Sequence, residues 1–157
     1  MMIPTVNFLC YNSTGLSTIK ADWIRNLYKV TDCNFISVQE HLKKNKTIDK
    51  FFKDQFPEHN SYVIPGHREQ NQDSGRPKGG IAQITDKKLN VKTDRVATKS
   101  FRIQAQILNF PASRILWLNS YFPTDPVGAN FDELLEEIEN VMDKVDFDDI
   151  LWNVDLN

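Results

Sequence analysis

Phe101-Arg102-Ile103-Gln104-Ala105-Gln106-Ile107-Leu108-Asn109-Phe110 alternates apolar and polar side chains. A period of two places Phe101, Ile103, Ala105 and Ile107 on one face of a strand and Arg102, Gln104 and Gln106 on the other. Arg114 to Phe122 follows at short spacing, and Ile81 to Thr85 and Leu89 to Thr98 precede it in the same way. A parallel crossover needs a dozen or more residues, so these four runs are expected to form an antiparallel meander.

Upstream, Ile3 to Tyr11 reads as an apolar strand that stops at the turn-forming cluster Asn12-Ser13-Thr14-Gly15. Ser17 or Thr18 can cap a helix whose Ile19, Trp23, Ile24, Leu27 and Tyr28 recur at helical spacing through about Val30, a face expected to be core. Asn34 to Gln39 is a second strand ending in Glu40-His41. Thr47 opens a helix carrying Phe51, Phe52 and Phe56, closed by Pro57. Ser61 to Ile64 is a strand, and Gly66 to Gly80 is a polar loop or hairpin connection expected to be mobile. Downstream, Phe131, Leu134, Leu135, Ile138, Val141, Met142 and Val145 define an acidic amphipathic helix from Asn130 to about Val145, and Asp149 to Leu156 is a last strand. That strand carries Ile150, Leu151, Trp152 and Val154, a composition normally found inside a sheet. With no internal repeat, low-complexity tract or linker, residues 1–157 read as a single α/β (α+β) domain with a mixed or antiparallel sheet.

The composition sets bounds on function. In 157 residues, 40% apolar and 11% aromatic side chains are enough for a real core, which excludes a disordered chain. No apolar run approaches the roughly 20 residues of a membrane span, and the start lacks the basic and apolar regions of a secretory signal. Cys10 and Cys33 lie in apolar strand-like stretches and are expected to be buried free thiols, which points to a reducing, intracellular compartment, nuclear or cytoplasmic. The net charge of −2 conceals an asymmetry: the last 26 residues hold ten acids and one base, leaving 18 bases against 11 acids, or +7, over residues 1 to 131. That excess suits a polyanionic partner and equally a solvated mixed-charge surface.

Polar groups gather at four strand ends: Asn12, Glu40, Tyr121 within Asn119-Ser120-Tyr121-Phe122-Pro123, and Asp155 with Asn157. Alternation puts Asp155 and Asn157 on one face of the last strand. Carboxylates and amides together suit a hard, oxygen-loving ion such as Mg²⁺, which keeps several waters and uses one or two protein carboxylates. His41, His59 and His67 lack zinc-like pairing and read as surface or internally satisfied histidines. Taken singly, Asn12 also reads as a turn residue, Glu40 as an exposed strand end, Tyr121 as packing and Asp155 as a solvated carboxylate.

Their order is more specific. With Tyr11-Asn12-Ser13-Thr14-Gly15-Leu16, Ile36-Ser37-Val38-Gln39-Glu40, Gly75-Arg76-Pro77-Lys78-Gly79-Gly80-Ile81-Ala82, Asn119-Ser120-Tyr121-Phe122-Pro123 and Asp155-Leu156-Asn157, the chain resembles the endonuclease/exonuclease/phosphatase superfamily. The resemblance is strongest to endonuclease domains of non-LTR retrotransposons, which accompany a reverse transcriptase. It implies a four-layer sandwich, two sheets faced by helices, hydrolysing phosphodiesters with Mg²⁺ or Mn²⁺ and nicking DNA. It further implies Glu40 as metal ligand and Asn12 as a phosphate-facing amide able to share the metal. Tyr121 would be a hydroxyl donor to the phosphate, Asp155 the group that orients and deprotonates water, and Asn157 a stabiliser of phosphoryl charge. These five side chains are expected to share one cleft, with Arg68, Arg76 and Lys78 of the bordering loop available to DNA phosphates.

Family members continue beyond the Asp-x-Asn strand and supply an acid and a paired histidine that this sequence lacks. The expectation is therefore a truncated, incomplete copy whose isolated chain is weakly active or inactive and self-associates through its exposed last strand. Trp152-Asn153-Val154-Asp155 also stands where the family has a glycine before the aspartate, and Thr14 where many members have Asp or Asn. Two other functions fit the same resemblance: a non-catalytic remnant that binds nucleic acid, and a phosphatase of the same superfamily.

Overall fold

A computed structural model describes residues 6–67, 78–122 and 129–156. Among these the chain runs β1 (Phe8–Asn12), α1 (Thr18–Thr31), β2 (Phe35–Gln39), α2 (Asn45–Gln55), β3 (His59–Ile64), β4 (Ile81–Asp86), β5 (Lys92–Val96), β6 (Ile103–Asn109), β7 (Arg114–Tyr121), α3 (Ala129–Asp143) and β8 (Asp149–Asp155). The strands form two four-stranded sheets, ordered β1-β2-β4-β3 and β5-β6-β7-β8. β1 with β2 and β7 with β8 are parallel pairs; the other neighbours are antiparallel.

The expected four-run meander is split. Only β5, β6 and β7 pair in succession, while β4 lies between β2 and β3 in the other sheet. Both edges of β4 are occupied, so its backbone has no free edge to offer β5. The Asp86 side chain accepts the Lys88 N–H and caps a single 3₁₀ turn, Lys87–Leu89, that carries the chain across to the second sheet. This turn also delays β5, which begins at Lys92 rather than Leu89.

Both first helices form as their patterns require, with one correction. Ser17 caps α1 by accepting the Lys20 N–H, and the helix ends at left-handed Asp32. Ala21 and Ile24 are buried, but Ile19 (79% exposed), Trp23 (65%) and Val30 (84%) face away from the sheet. Apolar residues cover more of α1 than one sheet-facing stripe can bury, so the expected core face is only half core. α2 starts at Asn45, ahead of Thr47, and buries Phe52 and Phe56 while Phe51 packs partly against them.

The layers run α1 and α2, first sheet, second sheet, α3. Ile36, Val38, Ala82 and Ile84 meet the first two helices, and Ile103, Ala105, Ile107, Leu116 and Leu118 meet Leu134, Ile138 and Val141 of α3. The alternate side chains of the same strands point at the other sheet. There Phe35, Leu108 and Trp117 form a small apolar cluster, surrounded by buried amides. Gln106 donates to Gln83 (2.9 Å), Gln83 to the Trp117 carbonyl (2.9 Å), and Gln104 to the Tyr62 carbonyl (2.7 Å). The Trp117 indole N–H donates to Ser37 (3.1 Å) and Asn153 (2.9 Å). Each of these donors finds an acceptor, most of them across the gap, which lowers the cost of burying it; the Gln104 Oε1 is buried without a hydrogen-bond partner among the described residues.

Among the described residues β8 pairs with β7 alone, and it leaves Ile150, Trp152 and Val154 on its outer face, 36 to 42% exposed. Leu151, Asn153 and Asp155 point the opposite way. Of the two thiols, Cys33 is buried as expected but Cys10 is exposed, because β1 lies at an edge of its sheet; both are free. No helix among the described residues is long and apolar enough to cross a membrane.

Candidate active site

Parallel pairing places strand ends together. Asn12 pairs with Gln39, so Asn12 and Glu40 leave the first sheet at the same end. Tyr121 pairs with Asp155 at the end of the second. The two ends meet: the Asn12 amide N–H donates to the Asp155 carboxylate. The Asn12 carbonyl oxygen in turn accepts the Thr14 N–H (2.9 Å) and the Thr14 hydroxyl (3.3 Å), an Asx turn that fixes the amide's orientation. Val154 lies on the outer face of β8, so its bulk points away from the Asp155 carboxylate.

Glu40 follows directly on β2 with a left-handed backbone (φ 53°), as do nearby Thr14 (43°) and Leu42 (56°). Such conformations cost about 1–3 kcal/mol each and persist only where their surroundings over-determine them. The surroundings here are explicit. Gly15 N–H donates to the Glu40 carbonyl (2.7 Å), Leu16 N–H to the His41 carbonyl (3.0 Å), His41 N–H to Gly80 (3.1 Å) and Leu42 N–H to Gly79 (3.0 Å). Gly79 (φ +68°) presses against the Tyr121 hydroxyl so closely that a Cβ would overlap it.

Electrostatically, burial pushes the Tyr121 hydroxyl up from its ordinary value, the Arg102 guanidinium opposes that rise, and the Glu40 carboxylate adds to it. Arg102 lies over the Tyr121 ring at 4.5 Å, and its carbonyl accepts the Tyr121 N–H (3.1 Å). Sequence reasoning missed Arg102, whose only signal was its place on the polar side of the alternating run from Phe101 to Phe110. It also missed the service of His41, which is satisfied internally as expected.

The Glu40 carboxylate accepts no hydrogen bond from any described residue, and the residue is half-buried. Among the described residues no three His, Cys, Asp or Glu side chains gather to cage a metal. Glu40 and the Asn12 side-chain oxygen are oxygen donors of the kind a hydrated Mg²⁺ or Mn²⁺ takes. These residues fit such an ion: among the described residues the Glu40 carboxylate has no hydrogen-bond partner, and the Asn12 oxygen is shared with Thr14. Asn157, Arg68 and Arg76, and most of the Gly66 to Gly80 loop, lie outside the described residues. Lys78 is described: it bridges His67 and directly precedes Gly79, beside Tyr121. His67 stacks on Phe101 at 4.7 Å.

The architecture has close counterparts among solved structures. The endonuclease domain of TRAS1, a telomere-specific non-LTR retrotransposon, superposes with a TM-score of 0.66 at 16% identity, over 96% of this chain and 60% of that one. A humanised D. rerio TDP2 superposes at 0.64 and 12% identity, over 95% of this chain and 61% of that one. The AP endonuclease LMAP from Leishmania major does so at 0.59 and 16% identity, over 88% and 47%. The fold is of the endonuclease/exonuclease/phosphatase type. This chain thus spans less than two thirds of each of these proteins. No protein-family model matches the sequence, and no curated protein matches it significantly.

Proposed function

We propose that the chain carries the phosphodiester-hydrolysing half-sites of a metal-dependent DNA-nicking endonuclease. The observation that carries this reading is the Asn12–Asp155 hydrogen bond, which joins a carboxylate from the end of one sheet to an amide from the other. Glu40 and Tyr121 leave the same two strand ends.

In this reading Glu40 would hold Mg²⁺ or Mn²⁺ together with water and a phosphate oxygen, and Asn12, at the end of the neighbouring strand, would share the ion. The ion would supply charge neutralisation at the phosphate. Asp155, oriented by the Asn12 N–H, accepts a proton from the attacking water. Tyr121 donates its hydroxyl to a non-bridging phosphate oxygen, and its raised pKa keeps that proton in place at neutral pH. Asn157, assigned from the sequence motif alone, would add a second amide donor. Lys78, with Arg68 and Arg76, would hold flanking phosphates without reading sequence.

The test is conversion of supercoiled plasmid to open circle with Mg²⁺, in wild type, Glu40→Gln and Asp155→Asn. Metal-dependent nicking, lost by about 10²-fold or more in both variants, is expected. Salt-dependent DNA binding with no turnover would instead assign the chain as a non-catalytic binding module.

A further inference from the structure

We infer that His41 is the positioning residue of the proposed metal site, a neutral imidazole clamp that holds the Glu40 carboxylate in place. The inference rests on Glu40 being a metal ligand, as proposed above. It concerns a residue that this reading does not itself use.

His41 is 1% exposed although it sits one residue from a half-open carboxylate. Its Nδ1 accepts the Lys43 N–H (3.0 Å), so the proton resides on Nε2, which donates to the Ile64 carbonyl (2.9 Å). One ring therefore ties the turn after β2 to the end of β3. The backbone of the same residue reaches two further segments: its N–H donates to Gly80 before β4, and its carbonyl accepts Leu16 N–H after β1. The ring packs edge-to-face with Phe52 of α2, with centroids 5.6 Å apart and planes at 72°. Its edge fills the space above Gly80 (φ +90°), where a Cβ would overlap the ring.

These contacts surround the two left-handed residues Glu40 and Leu42, which flank His41 on either side. Without the clamp, each would relax toward ordinary backbone angles and the carboxylate would swing from the Asn12 and Tyr121 ends. A carboxylate displaced by about 1 Å is a poor ligand and a poor participant in catalysis. A pure core histidine would need neither two directional bonds of fixed tautomer nor a glycine cleared to admit its ring. The geometry matches the general role of groups behind a metal ligand, whose loss costs about 10- to 100-fold in affinity.

The test is Mn²⁺ binding, followed by electron paramagnetic resonance of the free ion, in the full chain. His41→Gln keeps a donor near the Nε2 position and His41→Asn an acceptor near Nδ1. Each is expected to raise the Mn²⁺ Kd about 10- to 100-fold, and Glu40→Gln to abolish binding. In wild type, ring ¹⁵N signals of His41 should report the Nε2–H tautomer and shift on adding Mg²⁺, while those of His59 stay fixed; this readout needs no variant to fold. Wild-type Kd values in folded His41 variants, or ring signals indifferent to Mg²⁺, would overturn the clamp alone. Wild-type protein that binds no Mn²⁺, or Glu40→Gln that binds normally, would overturn the metal site and the clamp with it.

Discussion

Replacing Asn119 by Leu tests whether the amides between the sheets hold the fold together. Asn119 is fully buried on β7. Its Oδ1 accepts the Gln39 amide N–H (2.6 Å), and its Nδ2 donates to the carbonyls of Ala82 (3.1 Å) and Val38 (3.4 Å). Leucine fills nearly the same volume, so the cost is polar rather than a cavity. Among the described residues the Gln39 amide then keeps only the Cys10 sulfur, at 3.2 Å, as a weak acceptor. One buried donor left poorly paired costs about 1–3 kcal/mol, and two lost bonds to carbonyls add to it, for a total of about 2–4 kcal/mol. Against a typical stability of roughly 5–15 kcal/mol that is a large loss, a fall in Tm of roughly 4–16 °C in a domain of this size. Urea unfolding followed by circular dichroism measures it. The double variant Gln39→Leu/Asn119→Leu removes both partners and should recover part of the loss, a coupling visible in a double-mutant cycle. A single-variant loss below about 0.5 kcal/mol, or strictly additive variants, would refute the view that this bond carries weight.

Burial holds the His41 pKa down to about 4, with Lys43 pushing the same way and the bond to Ile64 opposing. The unfolded chain takes up that proton first, so the contribution is intact above about pH 6.5 and falls by about 1.4 kcal/mol per unit towards pH 4; the slope difference between wild type and His41→Gln in chemical denaturation should show it. Gly79→Ala places a Cβ on the Tyr121 hydroxyl at a left-handed position; nicking should drop about 10²-fold for a stability loss of about 1–2 kcal/mol, read by plasmid assay and thermal melt. Ile150→Thr with Val154→Lys should suppress concentration-dependent association in light scattering, because both side chains lie on the exposed outer face of edge strand β8.

Much of this architecture was legible because alternation and helical spacing are local. β6 and β7 lie within a residue or two of their expected limits, and Asn12, Glu40, Tyr121 and Asp155 stand at strand ends as the pattern requires. What was hidden depends on distant partners. Nothing between Asp86 and Lys92 signals that the chain changes sheets, since a five-residue connection serves a hairpin and a crossing alike. Gln104 and Gln106 form the polar face of an alternating strand, a pattern normally turned to water, yet both are buried because the facing sheet supplies amides and carbonyls of its own. The solvent-facing Ile19 and Trp23 follow the same logic in reverse. Arg102 escaped notice because one cation on a polar strand face carries no signal until Tyr121 is placed beneath it.

Asn12 belongs to one sheet and Asp155 to the other, so no single sheet determines how they meet. An oily interlayer would let two sheets glide by a fraction of a residue at little cost, and the carboxylate would drift with them. The amide layer behaves instead like the teeth of a ratchet. A slip of one residue along a strand, about 3.3 Å, would unseat Gln39, Gln83, Gln106 and Asn119 together, so intermediate offsets are penalised at every tooth. Alignment at the strand ends is thereby set some distance away from them, and a conservative change deep between the sheets can detune chemistry that it never touches.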